Sequence, residues 1–151
     1  MSSPLILPLD ACGDRALAGG KAAGLARLIA AGVPVPPGLC LTTEAYAQFL
    51  RDQQIDAAAL WEQVRIAKGS ARAALLDDCR NRIRQGRLSD ACFSELMWRI
   101  AALRRPVDER WAVRSSATNE DDARASFAGL YCTELGVAED QLAVSVQTVW
   151  A

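Results

Sequence analysis

The chain has 151 residues, of which 51% are hydrophobic and 23% charged, and this is enough apolar sequence for one domain with its own core. The formal net charge of −1 argues against a polybasic surface, so we predict no nucleic-acid partner. The absence of histidine excludes a histidine base, a histidine metal ligand and a phosphohistidine carrier within these residues. No apolar run approaches the ~20 residues that a membrane span needs, so we predict no membrane partner.

Five cysteines are dispersed along the chain without a CxxC pair, at positions Cys12, Cys40, Cys79, Cys92 and Cys132. Single cysteines in apolar surroundings are usually unpaired core residues. We expect all five to be reduced and most of them to be buried. This use of cysteine is typical of a reducing compartment and predicts a cytoplasmic protein.

The first third of the chain predicts short strands that alternate with helices. Residues 5–7 and 39–41 are apolar runs of strand length. Between them, apolar residues at i, i+3 and i+4 spacing predict a helix that begins at the Gly19-Gly20 pair and stops before Gly32. Another helix follows, with Thr42 or Thr43 as its N-cap.

Residues 57–105 are predicted to be a helical insert with a charged outer face and no motif that carries chemistry. Two more strands are predicted at 111–114 and 131–135, and a helical pattern resumes at 141–150. We expect the four strands to form one small sheet packed by helices, in an α/β or α+β fold. The last helical pattern stops without a cap, so we expect residues 1–151 to be a single subdomain, truncated from a longer chain.

The first candidate site is the glycine-lysine turn, Gly19-Gly20-Lys21, at the predicted helix start. Glycines let a backbone approach a ligand closely, and free N–H groups at a helix start attract anions. Lys21 would add a positive charge suited to phosphate oxygens. A Walker A loop is rejected by spacing, because Arg15 holds the leading glycine position and Ala22 has no hydroxyl for Mg²⁺. Taken alone, the three residues also fit a plain turn followed by an exposed lysine.

The second candidate site begins at residues 114–118, Arg-Ser-Ser-Ala-Thr, where a predicted strand ends in small hydroxyl residues. An arginine there can hold phosphate oxygens in a bidentate fork, and the hydroxyls can donate further hydrogen bonds. Glu120 and Asp121 follow, and a Ser-Phe-Ala-Gly run at 126–129 closes the segment. Two adjacent acids without further ligands make a poor metal site, so we predict none. A solvated surface loop is the alternative interpretation.

Together, these segments resemble the two motifs of the phosphoenolpyruvate synthase and pyruvate phosphate dikinase family. The first match is Gly-Gly-Lys-Ala-Ala-Gly-Leu at 19–25, with Gly-Val-Pro-Val-Pro-Pro-Gly at 32–38 and Thr-Glu-Ala-Tyr at 43–46. The second is Val-Arg-Ser-Ser-Ala-Thr at 113–118, continued by Glu120-Asp121 and the run at 126–129. Two motifs in this order are far more specific than either one alone. Leu130 and Gly136 depart from the family pattern, which affects the detail of the loop and not the family.

The resemblance implies the amino-terminal subdomain of an ATP-grasp-type nucleotide-binding domain, with ATP as its cofactor. Lys21 and Arg114 would be its catalytic residues, in contact with the ATP phosphates, and residues 115–129 would form a mobile loop over them. Mg²⁺ would be bound mainly by residues outside this chain. The further nucleotide contacts implied by the matched positions are Gly19, Gly20, Ser115, Ser116, Thr118, Glu120, Ser126 and Gly129.

The implied parent is an ATP-dependent phosphotransferase similar to pyruvate, water dikinase. ATP would phosphorylate a carrier histidine, which would pass the phosphoryl group to pyruvate or another acceptor. The missing partners would be the second ATP-grasp half, a phosphohistidine domain and an acceptor domain, so this chain alone could not complete the reaction. Rifampin phosphotransferases look similar in these motifs, which leaves the acceptor open. The alternatives are a standalone non-catalytic nucleotide-binding or regulatory module, and a remnant without a ligand.

Overall fold

The computed structural model describes residues 3–103, 110–118 and 132–151, which form six α-helices and four strands. Helices α1 to α6 are Arg15–Ala30, Thr43–Asp52, Ala57–Ile66, Gly69–Gln85, Asp90–Ala102 and Leu142–Trp150. Strands β1 to β4 are Ile6–Pro8, Leu39–Leu41, Trp111–Arg114 and Thr133–Val137. The fold is therefore α+β, as predicted, and its middle consists of the three helices α3 to α5. Residues 104 and 105 of the predicted helical insert lie outside the described residues.

In the described parts of the chain the strands form two separate antiparallel pairs, which corrects the expectation of one small sheet. β1 pairs with β2, with Ile6 opposite Leu41, and β3 pairs with β4, with Val113 opposite Glu134. Strands of three to five residues offer few ladder hydrogen bonds. The two pairs are joined by side-chain packing instead, because Ile6 and Val137 lie in the same hydrophobic core.

Helix α1 begins at Arg15, four residues before the glycine pair at which we expected it to begin. Asp14 explains the earlier start, because its carboxylate accepts a hydrogen bond from the Ala16 N–H (2.8 Å) and caps the helix. Gly19 forms a kink between two helical segments, so the predicted helix corresponds to the second segment, which begins at Gly20, and the first segment was missed. The predicted stop is confirmed, since the helix ends at Ala30 and Gly32 follows with a φ of +76°.

The larger core joins the helical middle to the strands from both ends of the chain. Its buried members are Ile6, Phe49, Ile55, Ile83, Leu88, Cys92, Leu96, Ile100, Val137 and Leu142. Helix α6 closes this core, because the Trp150 ring lies 5.2 Å from those of Tyr46 and Phe49 in α2. In addition, the buried Gln147 side chain donates from Nε2 to the Gly86 carbonyl oxygen, between α4 and α5. Since α6 also packs on β3 and β4, it fastens that strand pair to the helices.

A smaller core lies under the start of α1 and contains Cys12, Ala18, Ala22, Ala26 and Cys40. All five cysteines of the chain are free. Cys12, Cys40 and Cys92 are buried and Cys79 is half-buried, so the expectation of mostly buried thiols is confirmed, with the exposed Cys132 as the exception. Burial raises the pKa of the Cys40 thiol to about 12, which keeps it protonated and unreactive near neutral pH.

None of the helices in the described ranges is long and apolar enough to cross a membrane.

Candidate functional site

Gly19 interrupts α1 with a φ of +80° and a ψ of 172°, a combination that is essentially restricted to glycine. A Cβ atom at this position would lie 1.7 Å from the carbonyl oxygen of Ser116 and 2.5 Å from its Oγ. The position thus requires glycine for both its backbone conformation and its close packing. The glycine-lysine turn lies directly against the second candidate motif.

The Ser116 hydroxyl makes two hydrogen bonds to α1. It donates to the carbonyl oxygen of Ala18 (2.8 Å) and accepts from the N–H of Ala22 (3.0 Å). In an uninterrupted α-helix the N–H of residue 22 would bond directly to the carbonyl of residue 18. The hydroxyl therefore stands between the two partners of one helical hydrogen bond, and such an insertion is a recognised cause of helix kinks.

The strand-end loop, residues 115–118, makes two further hydrogen bonds to the first turns of α1. The N–H of Gly20 donates to the carbonyl oxygen of Ala117 (2.9 Å), and the Arg15 Nε–H donates to that of Thr118 (2.9 Å). On its other side, the N–H of Ser115 donates to the carbonyl oxygen of Cys132 (3.3 Å). The loop is thus fixed both to α1 and to the chain entering β4.

The structure brings most of the predicted site residues into one region. Gly19 and Gly20 are buried, Lys21, Ser115 and Ser116 are half-buried, and Arg114 and Thr118 are exposed, whereas Glu120, Ser126 and Gly129 lie outside the described residues. Lys21 comes directly after Gly20, and Arg114 directly before Ser115. The two basic residues expected at the phosphates therefore belong to segments that are hydrogen-bonded to each other.

The hydrogen-bond donors of the two motifs differ in what they do. The Gly20 N–H and the single hydroxyl hydrogen of Ser116 are already engaged within the protein, so they hold the site together. Ser115 is different, because its Oγ is buried and has no hydrogen-bond partner among the described residues. A buried hydroxyl without a partner is unfavourable by about 1–3 kcal/mol, which suits a group that binds a ligand.

Arg15 also lies in this region, although in the sequence it serves only to exclude a Walker A loop. Its exposed side chain reaches the strand-end loop and brings a third positive charge to the segments that carry Lys21 and Arg114. The signal that could have identified it is an arginine one helical turn before the glycine pair. Thr43, a candidate helix cap and part of the first family match, donates from its Oγ1 to the Ala16 carbonyl oxygen (3.1 Å), which holds α2 against the start of α1.

In the part of the chain that the structure describes, no group of three cysteine or acidic side chains is placed to hold a metal ion.

Comparison with known proteins identifies relatives over the whole chain. A sequence model of the pyruvate phosphate dikinase AMP/ATP-binding domain matches residues 15–151. The whole chain is 37% identical to part of a phosphoenolpyruvate synthase from Aeropyrum pernix, covering 20% of that protein, and 36% identical to part of the prodigiosin synthesizing transferase PigC from Serratia marcescens, covering 16% of it. Over 89% of its length it is 32% identical to an uncharacterized phosphotransferase, YvkC, from Bacillus subtilis, of which it covers 14%. The chain thus spans a fifth or less of the length of these relatives.

Proposed function

The chain belongs to the pyruvate phosphate dikinase AMP/ATP-binding domain family, and we propose that it holds the phosphates of ATP for transfer to a carrier histidine elsewhere in a longer, phosphoenolpyruvate synthase-like protein. The second ATP-grasp half, the histidine-bearing domain and the acceptor domain would be its partners. Pyruvate is the acceptor that the named synthases suggest, and the transferase relatives allow others.

The observation that carries this proposal is the direct contact between the two motifs. The backbone of Gly19 packs on Ser116, and the Gly20 N–H donates to the Ala117 carbonyl oxygen, so two motifs from distant parts of the chain are in direct contact. A surface turn and an unrelated surface loop, which were the alternative interpretations, would have no reason to meet in this way. Phosphoryl transfer depends mainly on positioning and on neutralising negative charge, and two basic segments held in contact can supply both.

In this proposal Lys21 and Arg114 neutralise the phosphate oxygens, and Ser115 donates a hydrogen bond to one of them. Gly19, Gly20 and Ser116 keep the two segments together, and Thr118 with Glu120, Ser126 and Gly129 belongs to the loop that covers the phosphates. Arg15 adds charge at the edge of the site. Mg²⁺, when bound, would be held mainly by residues outside this chain and would supply positive charge that neutralises the phosphates.

Nucleotide titration of the chain, followed by NMR, tests the proposal. We expect a dissociation constant of about 1 mM or weaker for Mg·ATP, because only part of the clamp is present. Lys21→Ala and Arg114→Ala should each weaken binding about tenfold or more, since a charge-assisted hydrogen bond contributes about 1.5–3 kcal/mol. Lys68→Ala and Arg87→Ala are matched controls, because both side chains are exposed and neither belongs to the two motifs.

Two further measurements separate phosphate recognition from other kinds of binding. Tripolyphosphate should displace ATP, whereas adenosine should bind far more weakly than either; the reverse order would contradict the assignment of Lys21 and Arg114. In the full-length protein, the same two substitutions should abolish transfer of labelled phosphate from ATP to the carrier histidine. ATP binding without any such transfer would instead indicate the non-catalytic module.

A further inference from the structure

The Ser116 hydroxyl occupies an unusual place, because it completes a hydrogen bond that belongs to another element. It accepts a hydrogen bond from the Ala22 N–H (3.0 Å) and donates one to the Ala18 carbonyl oxygen (2.8 Å). Ala18 and Ala22 are both buried, with 2% and 5% of their surface exposed, so water has little access to replace the hydroxyl. We refer to this arrangement as the Ser116 bridge.

We propose that Ser116 is a positioning residue whose bridge keeps α1 open at Gly19 and thereby sets the glycine-lysine turn against the strand-end loop. The consequence for function rests on the proposal that Lys21 and Arg114 hold the ATP phosphates. Lys21 lies on the helical segment that begins at Gly20, and Arg114 leads into the loop that carries Ser116. The bridge is therefore the link that sets the backbone supporting one cation relative to the backbone supporting the other.

The alternative conformation available without the hydroxyl makes this role specific. The Ala22 N–H and the Ala18 carbonyl are natural i, i+4 partners, so their direct hydrogen bond would restore a regular helix. Gly19 would then take helical dihedral angles in place of φ +80°, and the Gly20 N–H would turn away from Ala117. The Cys40 thiol also contacts the Ala18 carbonyl oxygen, but at 3.5 Å it is a weaker donor than the hydroxyl. Removing one oxygen atom would thus shift α1 toward a straight helix.

The test compares the chain with Ser116→Ala, using isotope-labelled protein and NMR. In the nucleotide-free state we expect the Gly19 carbon shifts to move toward helical values and the Gly20 amide to exchange at least about tenfold faster, which corresponds to the net loss of one hydrogen bond. With Mg·ATP as the probe, we expect binding to weaken by about fivefold to twentyfold. Ser116→Thr, which keeps the hydroxyl, should restore the exchange rate and the affinity to within about threefold of the parent chain.

Ser89→Ala is the matched control. Ser89 also accepts a backbone hydrogen bond through its Oγ, from the Cys92 N–H (3.3 Å), but it caps α5 and belongs to neither motif. A purely structural role for Ser116 would make the two alanine variants behave alike at equal stability. We expect Ser89→Ala to leave the Gly20 exchange rate and ATP binding unchanged.

Unchanged Gly19 shifts and Gly20 exchange in Ser116→Ala would overturn the bridge, and so would equal loss of ATP binding in both alanine variants. If Ser116→Ala does not fold, Ser116→Thr decides the question. Weak ATP binding and rapid Gly20 exchange in Ser116→Thr would show that a hydroxyl at position 116 does not hold the turn, which would contradict the proposal. Absence of ATP-dependent shifts in the unsubstituted chain would refute the proposed function. The exchange comparison without nucleotide would still determine whether Ser116 holds the turn.

Discussion

Replacing Gly19 by alanine is the most direct perturbation of the contact between the two motifs. The added Cβ would lie 1.7 Å from the Ser116 carbonyl oxygen and 2.3 Å from its carbonyl carbon. An ordinary contact needs more than 3 Å, so the backbone of Ser116 would have to move by over 1 Å. No side-chain rotation can relieve this, because the clashing atoms belong to the main chain. The alanine would also have to hold a φ of +80°.

The free energy of unfolding should fall by about 2–6 kcal/mol in Gly19→Ala. Alanine in this backbone region is strained by about 1–3 kcal/mol, and overpacking adds about 1–3 kcal/mol. Two other glycines separate these effects. Gly32→Ala has a positive φ of +76° and open space, so it should show only the backbone effect, a loss of about 1–2 kcal/mol. Gly24→Ala, inside α1 and without a close neighbour, should instead stabilise the protein by about 0.5–1 kcal/mol.

Urea unfolding followed by circular dichroism measures the three variants on one scale, and an unchanged dependence on urea concentration would show that they share the same unfolded state. The expected order of stability is Gly24→Ala, the parent chain, Gly32→Ala and then Gly19→Ala. A Gly19→Ala protein as stable as Gly32→Ala would show that Ser116 moves aside at little cost. That result would refute the tight contact on which the candidate site is built.

Three further results are expected from other parts of the molecule. Peptide mapping after alkylation should find Cys132 labelled first and Cys12 and Cys40 last, because the latter two are buried and burial raises the pKa of both thiols. Folding raises the pKa of the Cys40 thiol from 9.0 to about 12, so between these pH values the native state keeps a proton that the unfolded chain releases. The free energy of unfolding should therefore fall as the pH rises from 9 to 12, by at most about 4 kcal/mol for this group. Urea titrations at these pH values should show a smaller fall for Cys40→Ala. Gln147→Leu should lower the urea midpoint by the equivalent of about 1–3 kcal/mol, because the Gly86 carbonyl oxygen loses its donor; an unchanged midpoint would mean that this hydrogen bond does not fasten α6.

The sequence predicted most elements of the fold, because their signals are local. Thr42 caps α2 as expected, with its side chain accepting from the Ala45 N–H (3.3 Å), and Ser89 caps α5. The interruption of α1 at Gly19 could not be predicted in this way, because a glycine pair is equally compatible with the start of a helix and with a kink inside one. The group that replaces the helical hydrogen bond comes from Ser116, 94 residues beyond Ala22. The grouping of the strands into two pairs was missed for a similar reason, since packing across the core and not strand sequence decides it.

The candidate site was predicted as two separate phosphate-binding segments, and both predictions stand as proposals about ligand contacts. What the sequence could not indicate is which donors each segment keeps for a ligand. The Gly20 N–H fits the pattern of a phosphate-binding turn, yet in the structure it donates to Ala117. Ser115 and Ser116 are adjacent and chemically identical, but Ser116 is doubly hydrogen-bonded while Ser115 has no partner among the described residues.

The helical middle carries no motif, but it has a structural role, because the Ser116 bridge joins residues that lie far apart in the sequence. Joining residues that lie 94 positions apart has a loop-closure cost in entropy, and ordering the loop adds a second cost. A few hydrogen bonds of about 1 kcal/mol each do not offset these two costs. The larger core supplies the difference, because Ile83 in α4 and Ile100 in α5 are buried with Ile6 from β1 and Val137 from β4. The helices therefore help to hold the two ends of the chain together, and the hydrogen bonds at Gly20 and Ser116 fix their alignment. Stability and the geometry of the site are consequently separable: substitutions in the core should change how much of the protein is folded, whereas substitutions at the bridge should change how the folded site is arranged.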